Sequence, residues 1–592
     1  MSGGNDAFLV KDSGVYFVEP SIEPQWICSR IDILSDTRDE KSENWGRLLQ
    51  FKDRDGKQHS WAMPMAMMAG DHAAYREILL SFGVQISTSR KARDKLAEYL
   101  QSYQVSEKVL CVDQIGWHND SFVLVDKTFS PDEKEKPILQ LGGQIESRLK
   151  TAGSLQDWRD RVAAYCEGNS RLELALSLGF TPPLLKLLGE ENGVIHLRGS
   201  SSVGKTTALL LAGSVWGGGT HTGFVRTWRS TANGIESMAR EHNDALLLLD
   251  ELKQVDPHDA GIVAYQLSLG IGKQRSNVKG LARKSAEWRL LFLSSGEISL
   301  ESHMSEVGQK VHAGQEVRML DLPADAEKGM GLFEMLHGFQ SPSEFAQILK
   351  RNSLDYYGTP IRAFLEKLTQ NMDSAIQFVQ SVQTQFSKNF LPSEAEGQVT
   401  RACNRFALIA AAGELAVHYK ILPWKPTRAF EATSVCFNAW LSTRNNTKNS
   451  EEEKAMDRVI SFFQQYGKSR FSEIVNGNHE ESYTSPQKRA GFWHLVEGDT
   501  EWLVFTEVFT KEICKGLDSR FVAKCLIKRG HLISGSGGKS ATSMNLPGMR
   551  KTRVYRIRST IMDDSQEGVP GVPAVLIDEI TQDFTGTPMF ER

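Results

Sequence analysis

Paired cysteines are missing from this chain. Its seven cysteines, Cys28, Cys111, Cys166, Cys403, Cys436, Cys514 and Cys525, are scattered, odd in number and never spaced C-x-x-C. That distribution argues against a zinc site or a disulfide framework and for a reducing cytosol. Long apolar runs are missing too. No stretch approaches the roughly 20 residues of a membrane helix, and the polar start MSGGNDAFLVKDSG is no signal peptide. A large net charge is the third absence: the sum is −4 over 592 residues. No overall field draws this chain to a polyanion, so any such binding must come from local clusters.

What is present is an ordinary globular composition, 40% hydrophobic and 24% charged, with length for roughly three to five domains. Residues 1–150 read as a β-rich α+β domain. GVYFVEP, WGRLLQFKD, HSWAMPM and SFVLVDK are short strands broken by turn signals such as RDGK. HAAYREILLSFG and SRKARDKLAEYLQSY are amphipathic helices, the first closed by Gly83. No catalytic cluster stands out there, which fits a scaffold, an oligomerisation domain or a DNA collar. Residues 151–325 alternate helix and strand patterns, the signature of an α/β fold on a parallel sheet. Residues 326–445 are almost wholly helical in pattern, VTRACNRFALIAAAGELAVHYK being the clearest helix. LSTRNNTKNSEEEK reads as a polar linker ending near Lys454. Residues 446–560 mix helices and short strands, and 561–592 form a flexible acidic tail that begins as a Pro/Gly linker.

The chemistry starts at GVIHLRGSSSVGKTTALLLAG, residues 193–213. Gly199 to Thr206 spell G-x-x-x-x-G-K-T, the phosphate-loop pattern. Val194, Ile195 and Leu197 mark a buried strand before it, and the run from Lys205 is a helix after it. Gly199 and Gly204 permit a tight loop whose backbone N–H groups cradle phosphate oxygens, and the helix N-terminus faces the same anion. The binding stretch is Gly199, Ser200, Ser201, Ser202, Val203, Gly204, Lys205, Thr206 and Thr207. Lys205 reaches the β- and γ-phosphates, and the Thr206 hydroxyl ligates Mg²⁺, so the expected cofactors are ATP and Mg²⁺.

DALLLLDE, residues 244–251, supplies the second half of such a site. Leu246–Leu249 form a buried strand whose C-terminal end carries two acids. Asp250 is expected to support the metal and Glu251 to polarise the attacking water. WRLLFLSSGE, residues 288–297, ends in Ser294 and Ser295. Either could fill the polar position at this strand tip, called sensor 1 in AAA+ proteins, which contacts the γ-phosphate or the lytic water. Arg318, at the mouth of the strand in AGQEVRMLDLPAD, suits an arginine finger directed at a neighbouring subunit. Arg401 and Arg405 share a helix face, being four apart. One of them could be the sensor-2 arginine, and Arg401 is favoured because it lies nearer the helix start.

Two basic clusters stand out against the near-neutral total. GIGKQRSNVKGLARKSAEWR, residues 270–289, carries Lys273, Arg275, Lys279, Arg283, Lys284 and Arg289 against Glu287. Its glycines make it loop-like or hairpin-like. Lys273, Arg275, Lys279, Arg283 and Lys284 would grip a nucleic-acid backbone without sequence preference. Lys511–Arg558 carries twelve lysines and arginines against Glu512 and Asp518. LDSRFVAKCLIKRG reads as a helix capped by Asp518 and ended by Gly530. The stretch after it reads as two strands around a glycine-rich wing, a winged-helix pattern.

Taken together, WGRLLQFKDRDGKQHSWAMP, TANGIE, HNDALLLLDE, WRLLFLSSGE, AGQEVRMLDLPAD, RFALIAAAGELA and ILPW resemble the Cch-like predicted helicases, catalogued as domain of unknown function 927, from mobile genetic elements and phage satellites. The resemblance covers residues 14–560. It implies an MCM-like AAA+ core with helical lid, an N-terminal domain, a C-terminal winged helix and a bacterial cytoplasmic location. It implies a homo-hexamer that separates DNA strands by hydrolysing ATP, and a replication or loading partner could use the acidic tail. Lys205, Thr206, Asp250, Glu251, a serine at 294 or 295, and Arg318 are the site residues it implies. An ATP-gated DNA-binding assembly or loading protein with little unwinding is the second reading. A protein unfoldase is the third, and the basic composition of residues 271–284 argues against its aromatic pore loop.

Overall fold

The computed structural model describes residues 7–132, 136–141, 148–273, 285–309, 318–395, 397–443, 450–467, 469–475, 478–479, 488–496, 498–535 and 539–566. They fall into two compact units, one of residues 7–390 with 402–440 and one of residues 391–401 with 441–566.

The first unit opens with short strands. β1 (Phe8–Lys11), β2 (Gly14–Phe17) and β3 (Gln25–Cys28) make an antiparallel meander. β4 (Ile31–Arg38), β5 (Gly46–Lys52) and β6 (Gln58–Pro64) make a second, which β7 (Lys108–Val112) joins in parallel beside β4. β8 (Gly116–His118), β9 (Ser121–Val123) and β10 (Thr128–Phe129) form a small third sheet, and β11 (Ile138–Leu139) extends the second beyond β7. Alternating burial along β4 leaves one face on the core, where Ile31, Ile33, Leu49 and Phe51 meet helices Ala73–Ser81 and Arg90–Ser102. The four strand segments and both helices expected from sequence are present, and Gly83 closes the first helix at φ +82°.

The second half of this unit is a parallel sheet of β12 (Gly193–Arg198), β13 (Arg226–Thr227), β14 (Leu246–Asp250), β15 (Leu291–Gly296) and β16 (Met319–Pro323), in spatial order β13-β14-β15-β12-β16. Parallel neighbours need crossover connections, and helices fill them, so both sheet faces are covered. That is why β12, β14 and β15 read as near-continuous apolar runs and are buried along almost their whole length. The helix Lys205–Trp216 follows β12, and every residue in it except Thr206 is buried. Gly213 lets it approach the sheet: a Cβ there would lie 2.9 Å from Phe224 Cβ and 3.0 Å from Leu248 Cδ1. Helices Pro342–Asp355, Thr359–Gln370, Met372–Phe390, Gly397–His418 and Arg428–Ser442 make up the helical stretch. An ion pair from half-buried Arg428 Nε to fully buried Glu173 Oε1, 2.6 Å long, ties the last of them to the helix Ser170–Phe180. All seven cysteines are free, and all are buried.

The second unit holds a six-stranded sheet, β17 (Phe471–Val475), β18 (Asn478–His479), β19 (Gly491–Val496), β20 (Asp499–Phe505), β21 (Thr542–Met544) and β22 (Thr552–Arg558), in order β18-β17-β19-β20-β22-β21. The helix Ser450–Tyr466 begins inside the stretch expected to be a linker. Its Ala455, Met456, Val459 and Phe463 bury an apolar face that overrides the charged run Glu451–Lys454. Phe463 stacks on Trp502 at 4.3 Å and Phe509 on Tyr555 at 3.9 Å. The helix Ser519–Lys528 is capped by Asp518, which accepts from Arg520 N at 2.9 Å, and Gly530 follows at φ +77°. β21 and β22 then pair antiparallel. No helix among the described residues is long and apolar enough to cross a membrane.

Candidate functional site

Parallel strands bring the ends of β12, β14 and β15 to one edge of the sheet, and the residues singled out in the sequence meet there. β12 ends at Arg198, and Gly199 N donates to Gly296 O at 3.2 Å, fixing the start of the loop to the end of β15. Ser202 and Gly204 take left-handed backbone, φ +66° and +103°. The segment 326–333 walls the loop: Leu332 N donates to Val203 O at 2.8 Å. Gly331 is needed for that approach, since a Cβ would come 2.8 Å from the same carbonyl oxygen.

Lys205 is buried, and its Nζ donates to Gly199 O at 2.8 Å and Ser200 O at 2.7 Å. The ammonium thus curls back over its own loop, where an anion would lie. Thr206 Oγ1 donates to Asp250 Oδ2 at 3.2 Å. Ser295 Oγ donates to Asp250 Oδ1 and accepts from Glu251 N at 3.3 Å. Glu251 has left-handed backbone, φ +60°, so it departs from the strand direction that Asp250 keeps. One Glu251 carboxylate oxygen, Oε1, is buried with no hydrogen-bond partner among the described residues. An orphan acceptor of this kind is costly unless something donates to it, and a water at the site would.

The two serines divide because neighbouring strand residues point to opposite faces. Ser295 faces Asp250. Ser294 is fully buried on the other face, where it accepts from Trp228 Nε1 at 2.9 Å and meets His196 Nδ1 at 3.0 Å. His196 Nε2 donates to Ile298 O at 3.0 Å, so Nδ1 is the acceptor for the Ser294 hydroxyl. Burial pushes the His196 pKa down, which keeps the ring neutral. Ser294 is therefore a strut between β12, β15 and Trp228, and only Ser295 of the pair touches the acids.

Arg318 and Arg405 lie at the opposite end of the sheet. Val194 N donates to Arg318 O, so Arg318 is level with the start of β12, about 16 Å from the loop at the ~3.3 Å rise of a parallel strand. Its guanidinium lies over the Tyr265 ring at 5.0 Å, on the helix Pro257–Leu269. Arg405 donates to Arg318 O and Asn192 O, each at 3.2 Å. Gly193 makes room for it, since a Cβ there would collide with the guanidinium. Burial pushes the Arg405 pKa down to about 10. Arg405 is thus placed at the base of the strands, at the opposite end of β12 from the phosphate loop of its own chain. Arg401 is exposed near the start of the helix Gly397–His418 and belongs to the second compact unit.

The basic segment 270–289 has a paired stem. Ile271 and Glu287 form an antiparallel bridge, Gly272 N donates to Ala286 O at 2.7 Å and Trp288 N to Gly270 O at 2.9 Å. The hairpin expectation holds at this stem. Lys273 is exposed at its edge, while Arg275, Lys279, Arg283 and Lys284 lie outside the described residues.

A metal here fits one chemistry. No group of three or more His, Cys, Asp or Glu side chains able to hold an ion occurs among the described residues. The adjacent Thr206 hydroxyl and Asp250 carboxylate offer a hard cation two protein oxygens and leave its other positions to water and phosphate, which is how Mg²⁺ is held. Sequence inspection missed the basic side chains gathered beside this corner. Arg226 and Arg229 in FVRTWRS were the one signal, and it is weak because they stand far from the phosphate loop in sequence.

Residues 8–287 match the family model described as Domain of unknown function (DUF927). No curated protein matches the sequence. A solved structure titled "SCCmec type IV Cch - active helicase" is similar in fold, with a TM-score of 0.70 at 17% identity, over 94% of this chain and 99% of that one. The DUF927 match takes in just under half of the chain, and the likeness to the Cch structure is one of fold along nearly the whole length.

Proposed function

We propose that this protein hydrolyses ATP to drive strand separation or translocation on DNA, as the replicative helicase of a mobile element. One observation carries the reading: Lys205, Thr206, Asp250, Glu251 and Ser295 converge at one end of a parallel sheet ordered β13-β14-β15-β12-β16. That order, with the loop-bearing strand between β15 and β16, is the order of an AAA+ core. The helices of 326–445 are then its lid, residues 1–150 an N-terminal domain or DNA collar, and residues 446–560 a winged helix.

The roles follow from the contacts. The loop N–H groups and Lys205 bind the triphosphate. Mg²⁺, held by Thr206 and Asp250, would offset charge on the β- and γ-phosphate oxygens. Glu251, with its unpaired oxygen, accepts a proton from water as the water oxygen bonds to the γ-phosphorus. The bond from that phosphorus to the β,γ-bridging oxygen breaks, and ADP leaves with the electron pair. Ser295 holds Asp250 and the Glu251 backbone in one arrangement. Arg318 lies too far from its own loop to act there, which supports action in trans on the next subunit of a homo-hexamer. Arg401, nearer the start of its helix than Arg405, is the arginine favoured for the sensor-2 role. The basic hairpin with Lys273 grips the strand electrostatically.

Strand displacement tests the reading. A forked duplex should release its labelled strand with ATP and Mg²⁺, and neither without ATP nor with Lys205→Ala. DNA binding and ATP turnover with no strand released would instead favour the ATP-gated assembly protein.

A further inference from the structure

Beside the metal corner lies a cavity of about 410 Å³ that includes Thr206 and Asp250 in its wall. Leu210, Val225 and Met238 give part of the wall, and its charged groups are mostly basic: Arg148, Arg226, Arg229 and Lys350 line it beside His221, and Asp250 is the one acid among the described lining residues. Arg226 is only loosely paired, with Glu241 at 3.7 Å, and its Nε is buried without a partner among the described residues. Three hydroxyls, of Thr222, Thr227 and Ser230, face the same space.

The chain is built to hold these groups there. Thr227 pairs with Asp250 across β13 and β14, and Trp228 N donates to Asp250 O at 3.2 Å. Arg229, next in the chain, is therefore carried just past the tip of Asp250. Arg148 Nη1 donates to Val225 O at 2.5 Å and pins the loop that brings His221 and Thr222. Lys350 comes from the helix Pro342–Asp355. Three separate segments, Arg148, residues 221–230 and Lys350, thus supply positive charge and donors to one space, and a space of that kind selects an anion with several acceptor oxygens.

We propose that this cavity is a second phosphate site, which takes the inorganic phosphate cut from the nucleotide. The naming of its source rests on the ATPase reading, whereas the anion site does not. The cavity shares Thr206 and Asp250 with the metal corner, so a cleaved phosphate passes into it without crossing the phosphate loop. A dianion with four oxygens matches the gathered cations and hydroxyls better than a phosphodiester, which carries a single charge.

The test is binding of inorganic phosphate to the full chain, followed by ³¹P line broadening and calorimetry with Mg-ADP present to fill the phosphate loop. Wild type should bind phosphate. Arg229→Ala and Lys350→Ala should each weaken that binding about tenfold or more, the scale of one lost hydrogen bond to a charged group, with Mg-ADP affinity held. Lys350 is exposed on its helix, so its variant folds even if Arg229→Ala does not. Unchanged phosphate affinity in Lys350→Ala and Arg229→Ala overturns the proposal. So does displacement of phosphate by a short single-stranded oligonucleotide whose own affinity falls in both variants, because the site would then hold a phosphodiester. Lys205→Ala separates the two readings: it should lose nucleotide and keep phosphate. If phosphate binding vanishes with Lys205, the phosphate loop was the site and the proposal falls. If wild type binds phosphate in the cavity but never hydrolyses ATP, the ATPase reading falls and the anion site stands.

Discussion

Replacing Ser295 and Ser294 separately by alanine should have opposite consequences, although the residues are neighbours. Ser295 donates to the Asp250 carboxylate and accepts from Glu251 N at 3.3 Å. Ser295→Ala removes one hydrogen bond to a charged group, worth about 1.5–3 kcal/mol. If that stabilisation acts fully in the transition state, kcat falls about 10- to 150-fold. The site is open to water at Thr206, so solvent can replace much of the lost bond in the resting protein, and stability should change little. Ser294 is fully buried and touches neither acid. Ser294→Ala leaves the Trp228 indole N–H and the His196 Nδ1 without their partner, a cost of about 1–3 kcal/mol. The midpoint of thermal unfolding should drop by about 2–4 °C per kcal/mol for a domain of this size, while turnover at low temperature stays near wild type. Steady-state ATP hydrolysis and thermal unfolding, run on both variants, decide it. A Ser294→Ala protein of normal stability and abolished turnover, beside an unaffected Ser295→Ala, would refute the division of labour.

Glu251→Gln should keep ATP bound and lower turnover by about 10²–10⁴, the usual worth of a general base, whereas Lys205→Ala should lose ATP binding; equilibrium binding and single-turnover rates tell the two apart. Arg318→Ala should bind ATP and DNA yet hydrolyse about 10³–10⁵ more slowly if it acts as a finger. Mixing it with Lys205→Ala should restore part of the ATPase in exchanged oligomers, and normal hydrolysis by Arg318→Ala alone ends the assignment. Replacing Lys273, Arg275 and Lys279 by alanine should flatten the slope of log affinity for DNA against log salt, by about 0.7 for each single-strand phosphate that is no longer neutralised; an unchanged slope returns the hairpin to a solvated loop. Gly193→Ala should destabilise the first unit by about 1–3 kcal/mol through overpacking against Arg405, read as a lower urea midpoint for that unit's transition.

Some of this was legible along the chain because it is written in short windows. The phosphate loop needs only its own glycines, lysine and threonine between a strand and a helix. Leu246–Leu249 announce a strand buried on both faces, and Asp250 and Glu251 end it. The helix Ser519–Lys528 carries its own cap and stop. Each of these depends on neighbours within about ten residues, where periodicity and turn chemistry dominate. The charged run Glu451–Lys454 misled the same reasoning, because the apolar face that makes it helical, Ala455 to Phe463, finds its partners far along the chain.

The sequence by itself determined the kinds of residue at the site, but the tertiary structure decided which of them meet. Two adjacent serines are equivalent in a string; the two-residue period of β15 gives Ser295 to the acids and Ser294 to the core. Arg401 and Arg405 share a helix face in the sequence, yet packing against Gly193 holds Arg405 at the base of the sheet. Arg226, Arg229, His221 and Lys350 have no common pattern, and the crossover geometry of parallel strands sets them around one cavity. Local order is encoded by near neighbours, whereas a site built from distant segments exists only once the sheet has fixed their register.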